Sequence, residues 1–348
     1  MEIREGMVRA EVLTNLRIHG FASCRFVDTQ YQGLTNGRFA NQRTANRQNK
    51  QMKRYLLITI TGMLAISGLQ AQQPLTHTQH GQLRTVLNPA ASLMQAGGEV
   101  SVIGRRQWVG LDGAPSVFWG SGHVGFQRFG ATAGINIRHE SLAVEKLTEA
   151  SAFFAKSVRI SQTEYMGLSL NAGFSYMDGR FSQLDPQDPA FREDVRETDA
   201  LVGFGIMLYR PERYYVGLSL PRLMLGNLGV GGDSRYNFRN LYHLAAGALF
   251  DMGTDFQFRP SMLVTYSESL RPQAEVSALF FVKRVFGVGL NVRSYGEVAG
   301  MAQFNFSGFG LGYSYQFGTR NETLNRGISN NTHEIGLSYR FDGTPALL

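Results

Sequence analysis

The 348-residue chain has a single cysteine, Cys24, which lies upstream of its only long apolar run. Beyond that position no disulfide framework, thiolate metal site or cysteine nucleophile can form. Charge is scarce too. Charged residues make up 18% of the chain, against about 25% in soluble domains. Together with a hydrophobic fraction of 43%, this excludes a disordered polyelectrolyte and a charged coiled coil. Two tryptophans and ten prolines contrast with 40 glycines and 24 phenylalanines. No HExxH helix motif and no Gly-x-Ser-x-Gly elbow occur. Gly203-Phe204-Gly205 and the glycines from Gly308 to Gly312 precede no helical pattern, so they read as strand glycines and not phosphate loops. His77 and His80 are the nearest thing to a metal-ligand spacing, and they sit in a stretch expected to be exposed. The expectation is a protein that is not an enzyme and needs no cofactor or metal.

The formal charge of +7 hints at an acidic partner until its distribution is read. Residues 1–51 carry eight basic and four acidic residues; residues 72–348 carry 24 and 23. No nucleic-acid field remains in the main body. Met52-Lys53-Arg54, the apolar run Tyr55 to Leu69 and the small residue Ala71 have the order of a signal peptide over 52–71. The run is short of the roughly 20 residues of a membrane-spanning helix. Residues 1–51 show no apolar period, and are expected to be a disordered extension or sequence upstream of a true start at Met52.

After residue 98 the chain alternates. In 309–318, Phe309, Leu311, Tyr313, Tyr315 and Phe317 interleave with Gly310, Gly312, Ser314, Gln316 and Gly318. The same holds in 166–176, 286–293 and 333–341. A strand sends successive side chains to opposite faces, so each segment has one apolar and one small or polar face. Fourteen such segments follow one another between 98 and 341. The second face is mostly Gly, Ser and Asn with scattered Arg, unlike the Lys- and Glu-rich outside of a soluble sandwich. Connections alternate long and short, with long loops at 139–151, 178–197, 223–239 and 319–331. Tyr176, Tyr209, Tyr266, Tyr295 and Tyr339 lie near strand ends, where aromatic girdles belong. These features predict an all-β, antiparallel transmembrane barrel of about 14 strands in a Gram-negative outer membrane. Its expected parts are a short periplasmic segment over 72–97, the barrel over 98–341 and a tail over 342–348.

Four features stand in order along this chain: Asn88-Pro89-Ala90, then Arg106-Gln107-Trp108 after the first strand, then the strand Gly312-Tyr313-Ser314-Tyr315, then His333-Glu334 opening the last strand. In this order the sequence resembles the PorP/SprF family of type IX secretion system membrane proteins, found in the Bacteroidetes. The resemblance implies an outer-membrane barrel that serves secretion and, in many members, gliding motility. It implies partners among periplasmic and outer-membrane secretion components, or a secreted surface adhesin. The residues alone leave a second reading open, a porin or solute channel. Strand parity turns Arg138, Asp255, Arg259, Glu275, Arg293, Glu334 and Arg340 toward the lumen, as braces or as the lining of a channel. One of the adjacent Arg105 and Arg106 should face inward as well.

Overall fold

In a computed structural model, residues 76–348 are described apart from 96, 185–187, 189–192, 227–239, 269, 295, 318–330, 343–346 and 348. The expected signal peptide and upstream extension lie outside the described residues, as do the greater parts of the 223–239 and 319–331 loops.

The chain forms one antiparallel sheet closed on itself. Its strands are β1 (Glu99–Arg106), β2 (Ser116–Phe126), β3 (Ala131–Leu142), β4 (Glu145–Arg159), β5 (Tyr165–Gly179), β6 (Val195–Arg210), β7 (Tyr214–Met224), β8 (Leu241–Ala248), β9 (Phe250–Asp251), β10 (Phe256–Ser267), β11 (Leu270–Val282), β12 (Phe286–Arg293), β13 (Val298–Phe306), β14 (Phe309–Phe317) and β15 (Thr332–Arg340). β8 and β9 are two pieces of one wall strand, so the barrel has fourteen staves. The break falls beside Pro260 of β10, which lies between the pairs Phe258–Phe250 and Ser261–Gly247 and has no N–H to donate. Pro221 acts similarly in β7, where the register to β8 slips between Ser219 and Arg222. β1 pairs with both β2 and β15 and closes the ring.

The alternation is inside out compared with a soluble protein. Val288, Leu290, Leu311, Leu337 and Ile335 face outward and are exposed, while Ser277, Asn291, Ser314, Glu334 and Ser338 are buried toward the lumen. A continuous apolar exterior is stable only against lipid, and closure satisfies every edge. An Arg placed at Leu290, at mid-height of the lipid face, should destabilise the barrel by about 2–4 kcal/mol. The same change at lumen-facing Asn291 should cost less than half as much. Urea unfolding from lipid vesicles checks the difference, and equal costs would contradict this orientation.

One end has short turns at 127–130, 211–213, 283–285 and 307–308 and a fringe of exposed Phe126, Phe129, Phe256, Phe286, Phe306, Phe309 and Phe341. The other end carries the loops, with Trp108, Tyr176, Tyr266 and Phe317 exposed near it. Tyr209, expected in a girdle, points into the lumen and is buried, because its parity is that of Gly205 and Met207. Tyr295 lies outside the described residues. The expected long loop over 139–151 is a tight turn at Ala143 between β3 and β4. Likewise β5 and β6 run into the expected 178–197 loop, to Gly179 and from Val195. The 15 and 16 residues of β4, β5 and β6 exceed the roughly 9–11 that cross a bilayer. Their polar ends stay hydrogen-bonded as strands beyond the membrane, which blurs the loop signal in the sequence.

Candidate functional site

The lumen is occupied by the chain's own N-terminal segment. Residues 76–95 were expected beneath the barrel; instead, Thr76 to Leu83 are all buried within it. The expectation failed because the segment has no strand period, so nothing in its pattern marks it as interior. It starts toward the loop end, against Glu275 and Glu334, and comes down to the short-turn end, where Gly97 and Gly98 lead into β1.

Near the loop end Glu334 is the hub. Its two carboxylate oxygens accept from the backbone N–H groups of Gln79 at 2.8 Å and Thr78 at 2.9 Å. The second oxygen also takes Arg105 Nη1 at 3.2 Å. Arg105 donates further to Thr78 Oγ1 at 3.1 Å and Gln316 Oε1 at 2.9 Å. Beside it Arg293 and Glu275 meet at 3.1 Å, and Arg293 also donates to Thr78 Oγ1 at 3.2 Å. Thr76 Oγ1 donates to Glu275. The wall makes room by being glycine where the segment is thickest. A Cβ on Gly336 would come within 3.2 Å of Gln79 Oε1.

Lower down, Asn88 caps a short 3-10 turn, Pro89–Met94, its Oδ1 accepting from Ala90 N at 3.0 Å. Its Nδ2 donates to wall carbonyls of Ile206 at 3.2 Å and Leu218 at 3.4 Å. The facing wall residues are Gly205 and Gly217; a Cβ on Gly217 would lie 2.9 Å from Asn88 Nδ2. Ser219 donates to Leu87 O at 2.7 Å, and Ala90, Ala91 and Leu93 pack into a cluster with Met207, Tyr209 and Tyr215.

The ion pairs of the wall are cross-strand neighbours. Arg105 and Glu334 are register partners across β1 and β15, as are Glu99 and Arg340, which meet at 2.9 Å. The closing seam is thus held near both ends. Arg293 and Glu275 face each other across β11 and β12, and Arg138 and Glu149 across β3 and β4. Glu149 also takes Arg222 at 2.6 Å, and Arg138 also contacts Glu140. Arg259 donates to Gln303 and, at 2.7 Å, to the carbonyl of Leu347, so the tail turns back into the short-turn mouth. Asp255 is not in this set. It lies exposed in the turn before β10, since the strand begins one residue too late to turn it inward.

The motif residues separate. Asn88, Pro89, Ala90 and Glu334 are inside. Arg106 and Trp108 are exposed at the loop end, Trp108 with φ of 47°. Gln107, with its carbonyl oxygen turned to Arg105, accepts at 3.0 Å. His333 faces outward, 2.9 Å from Tyr313 Oη. Sequence reasoning missed Glu99, Glu149 and Arg222; strand parity opposite known arginines would have found the first two.

The two histidines of the segment are buried and not exposed as expected. His77 reaches Leu83 O at 3.2 Å and lies tilted against Trp119, with ring centres 5.1 Å apart; His80 reaches Ser261 Oγ at 3.3 Å. Among the described residues no group of three ligating side chains could hold a metal.

A cavity of about 70 Å³ lies between Thr76, His77 and Leu87 of the segment and Arg138, Glu149, Asn171 and Arg222 of the wall. That is room for a few waters.

Several solved outer-membrane barrels resemble the fold. Omp33 of Acinetobacter baumannii is 9% identical, with 71% of this chain and all of that one covered, at a TM-score of 0.40. The CymD monoaromatic hydrocarbon channel is 12% identical over 78% of this chain and 94% of its own, at 0.46. A Pseudomonas aeruginosa FadL homologue is 11% identical over 76% and 94%, at 0.44. These likenesses say nothing of function. No curated protein matches the chain in sequence. The model of one family, the type IX secretion system membrane protein PorP/SprF, matches residues 69–339, nearly all of the barrel and its inner segment. This closed fourteen-strand barrel of the outer membrane belongs to the PorP/SprF family of type IX secretion system membrane proteins.

Proposed function

We propose that the protein is a non-enzymatic outer-membrane anchor or docking platform of the type IX secretion system. In that role it holds periplasmic secretion components, or a secreted surface adhesin, at the membrane. One observation carries this reading over a standing porin: residues 76–95 run through the lumen and are buried against its wall, with a cavity of about 70 Å³ beside them. A barrel closed in this way works through its two ends. The short-turn end, periplasmic in barrels of this kind, presents Arg128, Arg159, Arg213, Lys283 and Arg284 beside Glu212 and Asp251. Arg213 pairs with Asp251 at 3.0 Å and Arg284 with Glu212 at 2.7 Å, so the rim is ordered as well as charged.

Deletion of the gene tests the reading. The expected result is loss of type IX secretion, or of one large surface protein, with the membrane otherwise intact. Native complexes purified in mild detergent should retain a secretion component. Normal secretion together with altered uptake of small solutes would replace this proposal with the channel reading.

A further inference from the structure

We propose that residues 76–95 are a displaceable plug, hinged at Gly97-Gly98, and that its withdrawal toward the short-turn end opens the barrel to small hydrophilic ions and solutes. This is independent of the docking role. It rests on how charge and hydrogen bonding divide between segment and wall.

Most of the wall's buried charges are paired with one another without the segment: Arg105 with Glu334, Arg340 with Glu99, Arg293 with Glu275, and Arg222 and Arg138 with Glu149. Arg259 is the exception, and its donors go to Gln303 and the Leu347 carbonyl, not to the segment. Removing one member of such a pair would strand a buried charge; removing the segment strands none. The vacated lumen would be lined by these paired charges with Ser, Asn, Gln and Thr, which water wets, and by apolar patches around Met207 and Tyr215 and around Ile103 and Trp119 that the segment now covers.

The segment, like the wall, carries buried groups left unsatisfied where it sits. Its single charge between residues 76 and 98 is Arg84. That guanidinium donates to its own Gly81 O at 3.2 Å, lies 5.2 Å from the Tyr215 ring centre and makes no ion pair among the described residues. His77 Nδ1, Gln79 Oε1, His80 Nδ1 and Gln82 Nε2 are buried without a hydrogen-bond partner. All would be satisfied in water. The segment forms no ladder with any strand. It is held by side chains gripping its backbone, chiefly Glu334, Asn136 and Ser219. The segment joins β1 through Gly97 and Gly98; Gly98 has φ of +100°, and a Cβ there would meet His123 O at 2.7 Å, so the joint has to be glycine. These properties describe a docked state with an alternative and not a fixed core.

A disulfide lock tests the proposal. A Cβ built on Gly81 lies 3.8 Å from Ser261 Cβ, the mean separation of a disulfide at about 3.8 Å. The full chain carrying Cys24→Ser, Gly81→Cys and Ser261→Cys would be reconstituted in planar bilayers. It would be recorded with reductant and again after oxidation, with urea added from the short-turn side to draw the segment out. Heat-dependent gel migration confirms a folded barrel beforehand. Reduced protein should show discrete openings that urea makes at least about tenfold more frequent. Oxidised protein should be silent, and reductant added to the same chamber should restore the openings. Openings that persist in the oxidised protein would overturn the proposal, as would failure of the disulfide to form in a folded barrel. Silence of the reduced protein at every urea concentration that leaves the barrel folded would overturn it too.

Discussion

Replacing Glu334 by Ala should be among the most damaging single changes in the lumen. The carboxylate serves two structures at once. It neutralises Arg105 across the β1–β15 seam at 3.2 Å, and it accepts the amides of Thr78 and Gln79. Its loss leaves a guanidinium with almost no access to water, and two backbone donors without acceptors. Breaking a buried pair from one side costs about 3–5 kcal/mol. Stranding the donors adds about 1–3 kcal/mol for each one left dry. The barrel's unfolding midpoint should fall, and the amides of residues 78 and 79 should lose exchange protection. The two effects separate in the double variant Arg105→Leu with Glu334→Leu. There the seam has no orphan charge, so barrel stability should largely return. The amides of Thr78 and Gln79 still lack their acceptor and should stay unprotected. If protection returned together with barrel stability, Glu334 would act on the segment only by holding the wall in shape.

This dual service explains what was legible in the sequence and what was not. Strand number and facing follow from period-two patterning, because lipid on one side and a polar lumen on the other punish every slip of register. Phe309 to Phe317 could be assigned to faces residue by residue. Glu275, Arg293 and Arg340 share the parity of small polar neighbours, and parity places them inside. The fate of residues 76–95 has no such signal. A segment that runs through a lumen without pairing to a strand carries no period, and its His, Gln and Thr read as solvated when no one knows that walls surround them. The glycines were a trace of it. Gly205, Gly217, Gly312 and Gly336 all stand on the inner face opposite the segment. In the sequence they read only as small residues of a barrel interior. Asp255 failed for a plainer reason, that parity decides nothing until the end of the strand is known, and Tyr209 because its place near a strand end was read without its parity.

The glycine wall leads to the other large effect. Gly205→Leu should expel the Asn88-Pro89-Ala90 turn and leave the barrel standing. The new side chain would enter the space that Asn88 Oδ1 and Ser169 Oγ occupy. The wall around it is held by ladders to β5 and β7, which do not depend on the lumen face. The segment is the softer partner, with three leucines and a few side-chain grips to hold it. Overpacking of this kind costs about 1–3 kcal/mol, which corresponds to a shift of roughly 5- to 150-fold in the docked population. Trypsin reads it directly, since Arg84 is the sole Lys or Arg between Arg54 and Arg105 and is buried when the segment is docked. Cleavage after Arg84 should accelerate by that factor in detergent, while the strands stay protected. Gly104→Leu is the matched control. It adds the same side chain to the lipid face of β1, where nothing lies within 4 Å of a new Cβ, and cleavage should match the parent. Were both variants cut at the parental rate, the segment would be held by something stronger than the contacts it makes with this wall.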